Sequence, residues 1–139
     1  MEKVKAIANH LIAPVAVSYM HNEVFSADHP LAVGPIGYMS SKAAMNTLKK
    51  ADFVLAIGTR LSVFGTLSCY DIDYFPKDEE IIQIDINPKN IARPHPIEVG
   101  IIGDAREASR EIMYRLKKIE PSPRKQSERI VEVTIEKQK

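Results

Sequence analysis

Four short runs of apolar and β-branched residues punctuate this chain, at 15–19, 53–57, 81–86 and 99–103. They are apolar at consecutive positions rather than at alternate ones. A strand that is apolar on both faces must be covered on both faces. A parallel sheet with helices on each side satisfies that demand. The stretches between the runs supply the helices, so the predicted fold class is α/β, a three-layer parallel sheet between helical layers.

The predicted elements follow from periodicity and punctuation. EKVKAIANHLI puts Val4, Ile7, Ala8 and Leu11 on one helical face, and Pro14 ends it. Ser40 or Ser41 caps SKAAMNTLKK, with Ala44, Met45 and Leu48 inward and Lys49 and Lys50 near the C-terminus. Asp104 caps AREASREIMYRLKKI, in which Ile112, Leu116 and Ile119 recur at helical spacing before Pro121 and Pro123. Asn87 caps a single helical turn with Pro88 at its first position. Residues 21–40 hold two prolines and two glycines without a period, and are predicted to form a long loop of the kind that carries function. Residues 61–75 read as irregular or as one short helix, and Pro76 with Asp78, Glu79 and Glu80 as a turn. RPHPIEV reads as extended, because proline restricts its neighbours. In the last segment Ile130, Val131, Val133 and Ile135 interleave with polar residues, which reads as an edge strand or a linker.

Composition excludes several classes of function. With 139 residues, 45% hydrophobic and 27% charged, the chain can bury one core and belongs with ordered globular domains. A net charge of +1 provides no electrostatic basis for binding nucleic acid or an anionic membrane. Cys69 is the single cysteine, so no internal disulfide can form, and a reducing cytoplasm is the expected compartment. No apolar run approaches the roughly 20 residues that a membrane helix needs.

In open α/β sheets ligands bind beyond the carboxyl ends of the strands. Three such ends carry suitable residues. Gly58-Thr59-Arg60 combines a residue that permits a sharp turn with a planar guanidinium suited to phosphate or carboxylate. Asp85 and Asn87 end a strand where a ribose hydroxyl could be held. Gly103-Asp104 opens a helix whose first N–H groups could meet an anion. Each has a structural alternative: a plain turn, a surface ion pair, a helix cap. No GxGxxG or Walker pattern is present. His21 and His29 with Glu23 and Asp28 match no compact metal-ligand spacing. Cys69 reads as a small packed residue, and Tyr70, Tyr74 and Phe75 as pocket-lining, core or subunit-contact residues. No residue stands out as catalytic.

As a set, HPLAVGPIGY, KAAMNTLKKADFVLAIGTRL, IIQIDINPKNI and VGIIGDA resemble the central domain of thiamine-diphosphate-dependent enzymes of the acetolactate synthase group. The likeness runs from Pro14 to about Leu116. The longer strings YMHNEVFSADHPLAVGPIGY, GTRLSVFGTL and YDIDYFPKDEEIIQIDINP are most similar to the sulfoacetaldehyde acetyltransferase subgroup. The resemblance implies a Rossmann-like central domain over 1–120, starting after the family's first strand, and a tail over 121–139 that could cover the exposed sheet edge. It implies a parent enzyme that uses thiamine diphosphate and Mg2+, held by other domains, to convert sulfoacetaldehyde and phosphate to acetyl phosphate and sulfite. The expected partners are those domains and further copies in a homo-oligomer. Carried over by position, the nucleotide cleft would be Gly58, Thr59, Arg60, Asp85, Asn87, Gly103 and Asp104. In acetolactate synthase relatives this cleft carries FAD. Here Met39-Ser40-Ser41 stands where relatives often have another glycine, which weighs against flavin. The alternatives are an FAD-binding central domain of an acetolactate synthase-like enzyme and a stand-alone module for an adenine nucleotide such as ADP.

Overall fold

A computed structural model describes residues 2–75, 80–125 and 128–139. Of the turn predicted over Pro76 to Glu80, positions 76–79 therefore lie outside the described residues, and Glu80 belongs instead to a strand. In chain order the elements are α1 (Glu2–Leu11), β1 (Val15–Ser18), β2 (Ala32–Ile36), α2 (Lys42–Lys49), β3 (Phe53–Ile57), β4 (Glu80–Asp85), β5 (Val99–Ile102), α3 (Ala105–Ile119) and α4 (Glu128–Lys137). Short 3₁₀ turns stand at Asn22–Val24, Phe64–Thr66 and Pro88–Asn90.

Among the described residues all strand pairings are parallel, and the strands divide into two sheets, β1-β2 and β3-β4-β5. Alternation along β1 and β2 sends neighbouring residues to opposite faces. Val17 and Ala32 pack with Ala8 and Ile12 around α1, while Ala16, Val33 and Ile36 pack with Ala44 of α2 and Val133 of α4. The second sheet carries Ala56, Leu61 and Ile81 in its own cluster, with Val54, Phe75 and Ile97 against it. α3 packs on β4 and on α1. The α/β class with helices on both faces is thus the observed one. Burial on both faces does not extend to the outer strand, because Val99 and Ile102 of β5 are exposed.

Two readings of the sequence are corrected. The segment 21–40 is not one loop, because Ala32–Ile36 pairs with β1 as a strand. Gly34 and Pro35 masked it: both are poor strand formers, and only the pairing with β1 makes the strand visible. The tail is not an edge strand. It forms α4, and no strand pairing involves it among the described residues. Its buried positions, Ile130 partly and Val133 and Glu136 fully, are spaced by three. Val131 and Ile135, which suggested alternation, face solvent. Glu128 at the start and Lys137 at the end suit the helix dipole.

One buried carboxylate anchors α4. Glu136 accepts hydrogen bonds from Lys50 Nζ (2.9 Å), Lys139 Nζ (3.0 Å) and Asn46 Nδ2 (2.9 Å). These donors, Lys50 foremost, pull its pKa from 4.5 to about 2 against the opposing effect of burial. A carboxylate whose pKa is depressed by folding contributes stability above its unfolded pKa and loses it as pH falls through the folded value. The contribution should be complete above pH 4.5 and gone near pH 2. Glu136→Ala should cost about 2 kcal/mol, discounted for the exposed lysines. It should also flatten the pH dependence of the melting temperature over that interval, as read by circular dichroism melts of both proteins.

Candidate functional site

The three turns singled out in the sequence lie side by side because β3, β4 and β5 are neighbours in one parallel sheet. The ladder continues one step past the strands. Gly58 N donates to Ile84 O (2.7 Å), and Gly103 N donates to Asp85 O (3.1 Å). Gly58 has φ +64°, and a Cβ there would lie 3.6 Å from Ala105 Cβ. The turn after β3 therefore touches the start of α3. All seven predicted residues stand at this end of the sheet.

Their side chains are committed to different degrees. Arg60 is exposed and has no hydrogen-bond or ion-pair partner among the described residues. Gly103 leaves its surroundings open, with nothing within 4 Å of an added Cβ. By contrast Asp85 is buried, and its Oδ1 accepts from Asn87 N (2.8 Å) and Asn90 Nδ2 (3.1 Å). Asn87 Oδ1 accepts from Lys89 N (3.0 Å), which caps the turn that follows. Asp104 Oδ1 accepts from Arg106 N (2.9 Å) and Glu107 N (3.1 Å) as the N-cap of α3. Thr59 Oγ1 lies 3.4 Å from the donating Ser18 Oγ, which ties the end of β3 to the end of β1.

The group that organises this end is Gln83, a polar residue inside the otherwise largely apolar run 81–86. It is buried in β4. Its Nε2 donates to Thr59 O (3.0 Å) and Asn90 O (3.0 Å), and its Oε1 accepts from Ala92 N (2.9 Å). One side chain thus fixes the turn after β3 and the segment after β4. An amide side chain inside an otherwise apolar strand run is the signal that could have revealed it, because such a group needs partners once buried.

A second group lies on the turns after β2 and β3. Gly37, at φ +84°, donates its N–H to the hydroxyl of Tyr74 (3.2 Å), whose pKa burial pushes up. Cys69 Sγ donates weakly to Gly37 O at 3.7 Å. His95 stacks on Phe75 with ring centres 4.0 Å apart, and its Nε2 is 2.9 Å from Thr66 Oγ1. Burial lowers its pKa, which favours the neutral ring. The four candidate metal ligands are not gathered. His21 faces Glu23 at 3.6 Å on the surface, while His29 Nδ1 accepts from Leu31 N (3.2 Å) and its ring packs on Phe25.

The cleft can therefore offer a guanidinium, two glycine turns and the start of a helix to an anionic group. One oxygen of each of its carboxylates, Oδ1 of Asp85 and of Asp104, is engaged in building the turns.

Known proteins match this chain closely. The family model for the central domain of thiamine pyrophosphate enzymes matches residues 1–112. A sulfoacetaldehyde acetyltransferase of Roseovarius nubinhibens is 50% identical over 110 residues, which is 79% of this chain and 18% of the relative. A probable sulfoacetaldehyde acetyltransferase of Rhizobium meliloti is 51% identical over 111 residues, 80% of this chain and 19% of that protein. A probable acetolactate synthase large subunit of Methanocaldococcus jannaschii is 35% identical over 117 residues, 83% and 19% of the two chains. Among solved structures, benzoylformate decarboxylase from Polynucleobacter necessarius superposes with a TM-score of 0.68 at 18% identity, over 92% of this chain and 23% of that one. That likeness concerns the fold alone. The chain spans about a fifth of the length of the curated relatives it matches.

Proposed function

Because the chain belongs to the family of thiamine pyrophosphate enzyme central domains, we propose that it is the middle domain of a thiamine-diphosphate-dependent sulfoacetaldehyde acetyltransferase. The parent reaction would take sulfoacetaldehyde and phosphate to acetyl phosphate and sulfite in the cytoplasm. The carrying observation is the identity of about half of 110 residues to sulfoacetaldehyde acetyltransferases, against 35% to an acetolactate synthase large subunit.

Within that parent the chain is a scaffold and not a catalyst. Thiamine diphosphate, when bound, supplies the nucleophilic carbon of the reaction. The residues present do not fit a site for it. Gly-Asp occurs once, at 103–104, and Asp104 Oδ1 is occupied in capping α3. Thiamine diphosphate and Mg2+ therefore belong to the parent's other domains in this reading. The central domain proper is 1–120, with 121–139 as an appended segment. The separation of β1-β2 from β3-β4-β5 fits a strand supplied from elsewhere in the polypeptide.

An adenine nucleotide fits only in part. Its phosphates could meet Gly58, Arg60 and Gly103. Its ribose would meet Asp85, one of whose oxygens, Oδ1, is already held by the Asn87 and Asn90 donors. Flavin binding is accordingly the lesser reading, and homo-oligomerisation of the parent is part of the proposal.

Two measurements test this. The parent polypeptide should release sulfite and form acetyl phosphate only when thiamine diphosphate is added, and the 139-residue chain should do neither. In a thermal-shift titration the chain should show no saturable response to FAD, ADP or NAD. A ligand at a hundred times its Kd would instead raise the melting temperature by roughly 8 °C. A rise of that size, lost in Arg60→Ala, would replace the scaffold reading with the nucleotide-carrying one.

A further inference from the structure

Helix α4 is strapped across the connections that enter the strands. Ile130 and Val133 give it an apolar seat, and charged side chains make its other ties. Arg129 Nη1 donates to Ile12 O ahead of β1 (3.5 Å), and Lys137 Nζ donates to His29 O ahead of β2 (3.3 Å). Glu136 takes Asn46 and Lys50 at the end of α2, ahead of β3. Of these anchor points, His29 is the one whose side chain titrates near neutral pH. Glu136, at about 2, stays ionised there.

His29 belongs both to the strap and to the first sheet. Its backbone O accepts from Ala32 N (2.9 Å) as well as from Lys137, and its ring Nδ1 accepts from Leu31 N (3.2 Å). Leu31 is buried, and its O accepts from Val15 N at the start of β1 (2.8 Å). An Nδ1 that accepts carries no proton, so the ring is neutral with its hydrogen on Nε2. The ring is half-buried and meets Phe25 edge-on, with centres 4.9 Å apart. The charges that act on it are Lys5 from α1 and Lys137 from α4, and both are positive. Asp28, next to it in the chain, is exposed. Burial first, and then the two lysines, hold the ring's pKa below the ordinary 6.5.

We propose that His29 is an acid trigger that loosens α4 from the rest of the domain. Protonation turns Nδ1 from an acceptor into a donor. Leu31 N–H then loses its partner, and an imidazolium stands beside two ammonium groups. One of the neighbouring elements has to give way. α1 is fixed, because it packs on α3 and in the cluster around β1. α4 rests on two apolar side chains and charged ties, so it yields first. A group whose pKa is lowered by folding in this way contributes stability above its unfolded value and loses it as pH falls below that value. The strap is therefore tight above pH 6.5 and loosens below it.

Amide hydrogen exchange of the 139-residue chain tests this, corrected for the intrinsic rate at each pH. Between about pH 7.5 and about pH 5, the protection of 128–137 should fall about threefold while that of α3 holds. In His29→Gln the protection of α4 should not change over the same range. A fall that persists in His29→Gln overturns the proposal and points to His10, whose Nε2 lies 2.8 Å from Glu120 O. A second measurement leaves His29 in place. Titration of its ring by NMR should give a value below 6.5, and Lys137→Met should raise that value. A ring that titrates at 6.5 or above, or one indifferent to Lys137→Met, also overturns the proposal.

Discussion

Gly37→Ala should lower the melting temperature of this chain by roughly 10 °C, equivalent to about 3 kcal/mol. Two causes act together. The residue sits at φ +84°, where any side chain is strained. An added Cβ would also stand 2.6 Å from Gly65 O and 2.8 Å from Phe64 O, and both atoms are backbone, which cannot rotate away. The turn after β2 would have to separate from the turn after β3, breaking the Tyr38 N–Phe64 O and Gly37 N–Tyr74 hydroxyl bonds. Gly103→Ala provides the contrast. Nothing lies within 4 Å of its added Cβ, so its effect should stay within about 0.5 kcal/mol. Thermal melts of the two variants side by side check this. A Gly37→Ala protein that melts with the parent sequence would show that the two turns do not pack as described.

Gln83→Leu should cost about 3 kcal/mol, although leucine nearly matches the shape of the residue it replaces. The loss is polar. Thr59 O, Asn90 O and Ala92 N would each lose a partner at the end of the sheet. Leaving such groups unpaired costs about 1–3 kcal/mol each when water cannot reach them. The damage should be local as well as global. Amide hydrogen exchange should rise first in the turn 58–61 and in 90–92, ahead of α1 and α2. If exchange instead rose evenly along the chain, Gln83 would be a packing residue and not the clamp of these turns.

Much of the candidate site was legible before any coordinates. The turns at 58–60, 85–87 and 103–104 are written in the sequence as strand ends followed by glycine, asparagine or a cap, and parallel pairing alone brings them together. Their chemistry was not legible. Asp85 read as a free acceptor, yet the backbone N–H two residues on holds its Oδ1, and Asp104 is the cap it reads as, bound by N–H groups two and three residues on. A short polar side chain at a strand or helix end has backbone donors within reach and uses them. Gln83 escaped notice for the opposite reason, because its partners Thr59, Asn90 and Ala92 lie on different segments.

What the sequence determined by itself was local. Helical spacing placed α1, α2 and α3, and the hydroxyl of Ser41 and the carboxylate of Asp104 set two of their starts. The apolar runs at 53–57, 81–86 and 99–103 became β3, β4 and β5 almost to the residue. Each of those signals acts over a few residues, within reach of one turn or one strand. What only the tertiary structure decided was what required a distant partner. Ala32–Ile36 is a strand because β1 lies beside it. Glu128–Lys137 is a helix on this surface because α2 presents Asn46 and Lys50 to Glu136. Tyr19 and Tyr38 join one ring cluster because Phe64 arrives from the segment after a third strand. Such contacts join residues far apart in sequence, and a chain read one window at a time contains no term for them.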